Sequence, residues 1–526
     1  MHLGGENESG NGVSDADRTC KIGGDIHPGF DLCPQSHLAM SITSSSPSPP
    51  GSVVRRLLTL GLALFLSTAV GLFAGCDNGQ LTAPDSTSAS SADPITSATS
   101  DEPRVLMQGF YWDSPQESGS GEWWDFVSGK IPTLASDGFT EIWLPPASKA
   151  QNDPSMGYDP YDYYDLGEYN QKMGTETWFG SRQELESLIS TAHSNNMDVI
   201  ADIVVNHMSG GQLEYNPNTG TDTYTKFRPK SGRIQFNYDN FHPSTFEQAD
   251  AGTFAGFPDL AHANPATYDE VEDYQQFLDS LGYDGWRYDF VKGINPQYIE
   301  QLQGAVGGFG VGEYYDGNKS KLSQWLNDIN YSASAFDFPL HFALKDMANN
   351  TSGGYDLRNL WGAGLLWDHP FNTVTFVSNH DTDKDAPILT DKMMAYSVIL
   401  THEGLPTVFW KDYFNYNLAQ RNSATGIKQL VWVYQNLAAG STSLLHSAPD
   451  LYIIQRNGDP GLVLVLNDNP DSWKGVTINT KWANTQLHAY AWNGGSQPQD
   501  KWTDGSGNVD LWAPPRGYAV YAPNGY

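Results

Sequence analysis

Short apolar runs rich in Val, Ile, Phe and Trp recur between residues 105 and 410, separated by stretches with helical spacing. Candidate strands cover 105–112, 141–144, 199–205, 285–290, 311–314, 335–338, 373–377 and 407–410. Helical spacing marks 123–135 near the start of the series and 427–438 at its end. Strands that alternate with helices specify a parallel sheet with helices packed on it, because parallel neighbours require a crossover. Eight such repeats suit an α/β fold of the (β/α)8 TIM barrel type. The alternation alone also admits other doubly wound sheets.

Three of these runs end in an acid. Asp289 stands in Gly-Trp-Arg-Tyr-Asp-Phe-Val-Lys-Gly, Glu313 in Gly-Val-Gly-Glu-Tyr-Tyr, and Asp381 in Phe-Val-Ser-Asn-His-Asp. A fourth run starts at Asp202 and closes on Asn206-His207. An isolated Asp after a strand is usually a helix cap or a turn former. Four runs in this order, each with its own Arg, His or Asn, are harder to assign to turns. At the C-terminal ends of barrel strands such side chains converge on the mouth. Converging carboxylates suit cleavage of a glycosidic bond, which needs one acid protonated and another ionised.

From about residue 105 to the C-terminus these motifs resemble the α-amylase family of glycoside hydrolases, family 13. The resemblance favours the barrel over other doubly wound folds. It implies a barrel formed by 102–206 and 263–440, with a small domain B, 207–262, inserted after the third strand. Residues 441–526 show short alternating runs and Gly/Asn turns, which read as a C-terminal antiparallel β domain. Five tryptophans there, Trp473, Trp482, Trp492, Trp502 and Trp512, suit core and edge packing better than a surface starch platform.

By motif match, Asp289 is expected to be the nucleophile, Glu313 the general acid and then base, and Asp381 a residue that grips the sugar hydroxyls. Arg287 precedes Asp289 by two positions, so on a strand both face the same way and the cation keeps the aspartate ionised. His207 and His380 match histidines that hydrogen-bond the reacting sugar. Tyr158 resembles the aromatic stacked on it, and Lys292 a residue on the leaving-group side. The implied activity is retaining endo-hydrolysis of α-1,4 bonds in starch, glycogen and maltooligosaccharides. Glucanosyl transfer, oligosaccharide-forming exo-action and a non-catalytic starch-binding lipoprotein are the alternatives. All three acids are present, which argues against the last.

The resemblance also implies a structural Ca2+ site. Its expected ligands are Asn206, Asp250, Gly252, Asp259 and Gly293, the glycines through their backbone. Residues 210–259 resemble the domain B of archaeal heat-stable and plant-like α-amylases. Archaeal relatives can add a zinc site and a disulfide. Here His242 alone matches the zinc ligands, Glu247 and Ala261 occupy the other positions, and Gln248 and Ala249 replace the cysteine pair, so no zinc is expected.

A formal net charge of -32 opposes binding to nucleic acid or an anionic membrane surface, whereas neutral polysaccharide is not repelled. Such an acidic excess suits either adaptation to high salt or an ordinary exported protein. The three cysteines, Cys20, Cys33 and Cys76, all precede the catalytic region, which therefore has neither disulfide nor thiol nucleophile. Arg55-Arg56, an apolar stretch over 57–73 and Ala74-Gly75-Cys76 form an export signal within a leader of 1–76. Phe-Ala-Gly-Cys resembles a bacterial lipoprotein box, with Phe73 where Leu is commoner, and implies membrane attachment through a lipidated Cys76. A plain signal peptide or a membrane anchor is the alternative. Met40 offers a more ordinary start, and 77–101, rich in Ser, Thr, Ala and Asp, reads as a disordered linker. A monomer is expected.

Overall fold

The computed structural model describes residues 103–116, 122–172, 174–420 and 424–526. The leader, Cys76 and the linker lie outside the described residues. No helix among those described is long and apolar enough to cross a membrane.

Eight strands close into a barrel: β1 Leu106–Gln108, β2 Glu141–Leu144, β3 Asp198–Ile203, β4 Gly285–Tyr288, β5 Phe309–Gly312, β6 Ser334–Phe336, β7 Thr373–Phe376 and β8 Leu405–Phe409. Each strand pairs in parallel with its sequence neighbours, and β1 pairs with β8 to complete the ring. Every strand residue of β2, β4 and β7 is buried, as a sheet covered on both faces requires.

The helices carry explicit start signals. Ser181 and Glu184 form a reciprocal capping box for Arg182–Ser194, whose Leu185, Leu188, Ile189 and Ala192 make one buried face. Asn264 and Asn295 cap the helices Pro265–Ser280 and Pro296–Val306, each with Pro in the first turn. The helix expected over 123–135 is two helices, Trp123–Ser128 and Ile131–Ser136. Gly129 closes the first, and Pro132, which lacks an N–H for the ladder, is accepted only in the opening turn of the second.

The strand expected over 105–112 pairs only as Leu106–Gln108. Gly109 still donates to the Trp143 carbonyl at 2.8 Å, and the chain then turns across the mouth of the barrel, bringing Trp112 towards the other loops. The strand expected over 335–338 stops at Phe336 because Asp337 caps the next helix, Phe338–Asn349.

After β3 the chain leaves the barrel, forms an antiparallel hairpin of Gln212–Asn216 with Thr221–Lys226, and returns beside its exit. Bridges pair His207 with Asp259 and Phe241 with Leu260, and Leu260 donates to the Asn206 carbonyl at 2.9 Å.

Past the helix Ile427–Leu437 come eight further strands: β9 Thr442–Ala448, β10 Leu451–Arg456, β11 Val463–Asn467, β12 Lys474–Asn479, β13 Gln486–Asn493, β14 Lys501–Trp502, β15 Asn508–Ala513 and β16 Gly517–Pro523. A six-stranded sheet has the order β9-β10-β11-β16-β13-β14, and β12 pairs with β15 across a second small core. Trp482 and Trp492 pack on that core, as expected, whereas Trp502 is 66% exposed and Trp512 36%.

Candidate active site

Arg287 on β4 organises the mouth of the barrel. Its Nη1 donates to Asp289 Oδ1 at 2.7 Å and to Asp202 Oδ1 at 2.8 Å, and its Nη2 lies 3.0 Å from Glu313 Oε2. One buried guanidinium thus serves carboxylates from the ends of three adjacent strands. Such a charge is tolerable inside a barrel only because its partners are charged and close. Asp202 also accepts from Tyr158 Oη at 2.8 Å and Trp143 Nε1 at 3.1 Å, so it anchors the arginine from below.

Backbone bonds extend the strand ladder far enough to place the two upper acids. Asp289 donates to the Ile203 carbonyl at 3.1 Å and Glu313 to that of Tyr288 at 2.9 Å. Phe290 adopts a left-handed conformation, φ 45°, unusual for a bulky residue, and its N–H reaches Glu313 Oε2 at 3.1 Å. Burial pushes the Glu313 carboxyl up to about 8, against the pull of Arg287 and with added repulsion from Asp289 and Asp381. A carboxyl in that state holds a proton at neutral pH beside the aspartate on the same guanidinium fork. The two acids are held differently by the fork: Asp289 has the shorter bond to Arg287, and Glu313 also accepts from the Phe290 N–H.

Asp381 faces them across a cavity of about 300 Å3 whose walls include Trp112, Tyr158, Phe254, Lys292, Tyr315 and His380. Trp112 Nε1 lies 3.3 Å from Asp381 Oδ1 and His380 Nε2 3.3 Å from Oδ2. The His380 ring stacks on Tyr158, centroids 5.3 Å apart and planes 6° apart. Burial pushes its imidazole down to about 4, so the ring is neutral. Gln108 Nε2 meets its Nδ1 at 2.9 Å, which leaves Nε2 as the proton-bearing nitrogen. Lys292 Nζ donates to the Tyr315 carbonyl at 3.0 Å on the far wall.

The sequence-expected residues thus converge, with one exception. His207 is fully buried and does not line the cavity; Phe254 and Phe257 both pack against its ring, centroids 4.8 and 5.2 Å away, and Nε2 is 3.0 Å from the Tyr158 carbonyl. The returning limb of the insert brings both phenylalanines over it. Asp202, Trp143, Gln108 and Trp112 were given no role from sequence. Asp202 and Trp143 carried the signal of a polar group and an indole at barrel-strand positions.

Residues 110–412 match the profile for the alpha amylase catalytic domain, more than half of the chain, and 462–522 that for the alpha-amylase C-terminal domain. The chain belongs to the alpha-amylase family. Among curated relatives, the alpha-amylase of Bacillus licheniformis is 27% identical over 73% of this chain and 87% of its own length. The glucan 1,4-alpha-maltohexaosidase of Bacillus sp. (strain 707) is 29% identical over 59% of this chain and 70% of its own. The fold is shared with the alpha-amylase of Geobacillus thermoleovorans, TM-score 0.58 at 19% identity over 80% of this chain and 98% of that one. It is shared also with the three-domain cyclomaltodextrin glucanotransferase CldA, TM-score 0.61 at 20% identity over 80% and 99%. The chain is therefore an alpha-amylase-family glycoside hydrolase built on a TIM barrel.

Within this alpha-amylase fold, the residues expected to hold calcium gather at the neck of the insert. Asp250 and Asp259 are buried carboxylates, and both Asp250 oxygens, Asp259 Oδ1 and Asn206 Oδ1 have no hydrogen-bond partner. His242, Asp250 and Asp259 offer ligand atoms all within 4.8 Å of one another. Gly293 sits directly against Asn206, since an added Cβ would collide with Asn206 Oδ1, and Gly252 lies against the Gly293 backbone. Burial and then the charge of Asp259 push Asp250 up to about 7. Buried carboxylate and amide oxygens left without a hydrogen-bond partner are what a hard cation would satisfy, and this oxygen set fits Ca2+. His242 turns its Nδ1 to Asp259 at 2.8 Å and its Nε2 towards Glu247 at 3.1 Å.

Proposed function

We propose that the enzyme hydrolyses internal α-1,4 bonds of starch, glycogen and maltooligosaccharides with retention of configuration. The observation that carries this reading is the Arg287 fork, which holds Asp289 and Glu313 side by side while burial keeps Glu313 protonated. In this scheme Glu313 gives its proton to the glycosidic oxygen as the C1–O bond breaks, and Asp289 bonds to C1. Glu313, now a carboxylate, takes a proton from water, whose oxygen displaces Asp289 from C1 and regenerates both acids.

Asp381 and the Nε2–H of His380 would bind hydroxyls of the reacting sugar, Tyr158 would present its ring to the sugar face, and Lys292 would sit beside the leaving-group side. For His207 the buried position supports an indirect role, holding the Tyr158 backbone from beneath. Asn206, Asp250, Asp259 and the Gly252 and Gly293 backbone would hold calcium. The bound ion would neutralise the facing carboxylates and tie the insert to the barrel, without taking part in bond cleavage.

The test compares wild type with Glu313→Gln on soluble starch, following iodine colour and reducing ends together. Fast colour loss with few reducing ends, slowed on the order of 10^2- to 10^4-fold in the variant, is the expected result. Products that grow longer or cyclise without new reducing ends would overturn hydrolysis in favour of transfer.

We further propose a single-copy enzyme in which 207–262 form a distinct inserted domain, exported and tethered through lipidated Cys76. Its expected consequence is that Cys76→Ser moves activity from the membrane fraction to the medium.

A further inference from the structure

We propose that the C-terminal domain carries a second binding site for α-glucan, built on Trp473 and Trp512 and remote in sequence from the catalytic residues. The ligand class rests on the function proposed above.

The two indoles line an open cavity of about 340 Å3, together with Ser496, Gln497, Gln499 and Lys501. That volume lies within the range of small-ligand sites, about 300–1,000 Å3. Trp512 is held as a fixed plate. It stands on β15 opposite Gly475 of β12, where an added Cβ would lie 2.6 Å from its Cγ and 2.7 Å from its Cδ2. Only glycine lets the ring lie that close to the neighbouring strand. The indole N–H is fixed by Asp510 Oδ2 at 2.9 Å. One part of the ring is thus packed and bonded, while Trp512 as a whole stays 36% exposed. Trp473 reaches the same cavity, its Cζ2 near Gly495, a second position without a side chain.

Charge narrows the occupant. The chain carries a net -32, yet among the described residues lining this cavity Lys501 is the only charged one. Lys501 in the lining opposes a cationic ligand, the nearby Asp510 carboxylate being engaged by the Trp512 N–H, and a polyanion would be repelled by the protein as a whole. Flat indoles bordered by two glutamine amides and a serine hydroxyl suit a neutral, ring-shaped, hydroxyl-rich ligand: the C–H face of a sugar stacks on the ring and its hydroxyls meet the amides. A polymeric substrate has many such rings beyond the few engaged in the cleft. Holding a distant segment raises the effective concentration of cleavable bonds without any new contact at the catalytic acids.

The experiment measures retention on granular starch in the Glu313→Gln background, so that the support is not consumed. Trp473→Ala/Trp512→Ala is expected to reduce bound protein at least fivefold, whereas Trp502→Ala, on an exposed indole outside the cavity lining, is expected to stay bound. Full retention of the double variant overturns the proposal, and so does equal loss in Trp502→Ala, which would signal nonspecific apolar adsorption. If the double variant does not fold, a Glu313→Gln crystal soaked with maltoheptaose decides: density across Trp512 supports the site, and density confined to the cleft overturns it. Failure of the underlying reading is distinguishable, because wild type would then neither cleave soluble starch nor bind granules.

Discussion

The side-chain amide of Gln108 lies 2.9 Å from Nδ1 of His380 and is buried with it. A residue on the first barrel strand therefore sets which nitrogen of a cavity-wall histidine carries the proton. Gln108 Oε1 has no partner of its own, so the amide is kept at some cost to stability.

Gln108→Met tests that relationship. The variant removes an unpartnered buried oxygen but also strips His380 Nδ1 of its donor, so the melting temperature is expected to fall modestly, while loss of the tautomer constraint raises KM. The expected change is that of one hydrogen bond, about 0.5–1.5 kcal/mol, roughly two- to twelvefold. Nitrogen-15 NMR of the His380 ring, showing mixed tautomers in the variant and Nε2–H alone in wild type, separates this from a packing effect.

Glu313, as the proton donor proposed above, sets the alkaline limb of activity. The acid must carry its proton, and burial holds it up to about 8, so kcat/KM falls as pH rises through that value. Asp381 is one of the charges raising it, so Asp381→Asn moves the limb to lower pH in the residual activity. A pH profile on a fluorogenic maltooligosaccharide reads both; an unmoved limb in Asp381→Asn would remove that charge from the account.

Asp202→Asn leaves Arg287 with less negative charge beneath it and Tyr158 with a weaker acceptor. Weakening one charge-assisted bond to a guanidinium that stays paired costs about 1.5–3 kcal/mol, readable as a lower urea midpoint. Activity at temperatures well below melting falls less than in Glu313→Gln, since Asp289 and Glu313 keep their own bonds to the guanidinium.

If calcium fills the proposed site, chelation is expected to lower the melting temperature by roughly 3–4 °C, the scale of a ligand held well above its Kd in a chain this long. Calcium restores it. Asp250→Asn, which removes one of the proposed ligands, is expected to melt at the same temperature with and without chelator. Scanning fluorimetry reads this without any substrate.

Legibility in the sequence followed local physics. Strand residues buried on both faces gave apolar runs that could be counted, and the acids at their ends were visible as breaks in those runs. The split of the first helix turned on Gly129 and Pro132, where two local signals outweighed continuous helical spacing. Position relative to a wall was less legible. His207 sits in a matched motif, yet whether it faces the cavity depends on Phe254 and Phe257, some fifty residues later. Gln108 carried no signal because its role exists only where β1 closes against β8 and the loop after β7 arrives. The tryptophans of the C-terminal domain divide between core and surface through their neighbours, Gly475 above all, and not through their own spacing.

The neck of the insert has an evolutionary reading. The chain exits at Asn206 and re-enters at Leu260, and these two residues are joined by a backbone hydrogen bond of 2.9 Å. Everything between them is a side branch whose length does not enter the register of β3 against β4. Recombination can exchange or resize such a branch without disturbing the strands on either side. Asn206 and Gly293 stay with the barrel, so any transplanted branch has to arrive with carboxylates placed like Asp250 and Asp259 or leave the Asn206 side-chain oxygen facing nothing. The barrel is free to change its ornament, and the unpartnered oxygens at the neck limit which ornaments it accepts.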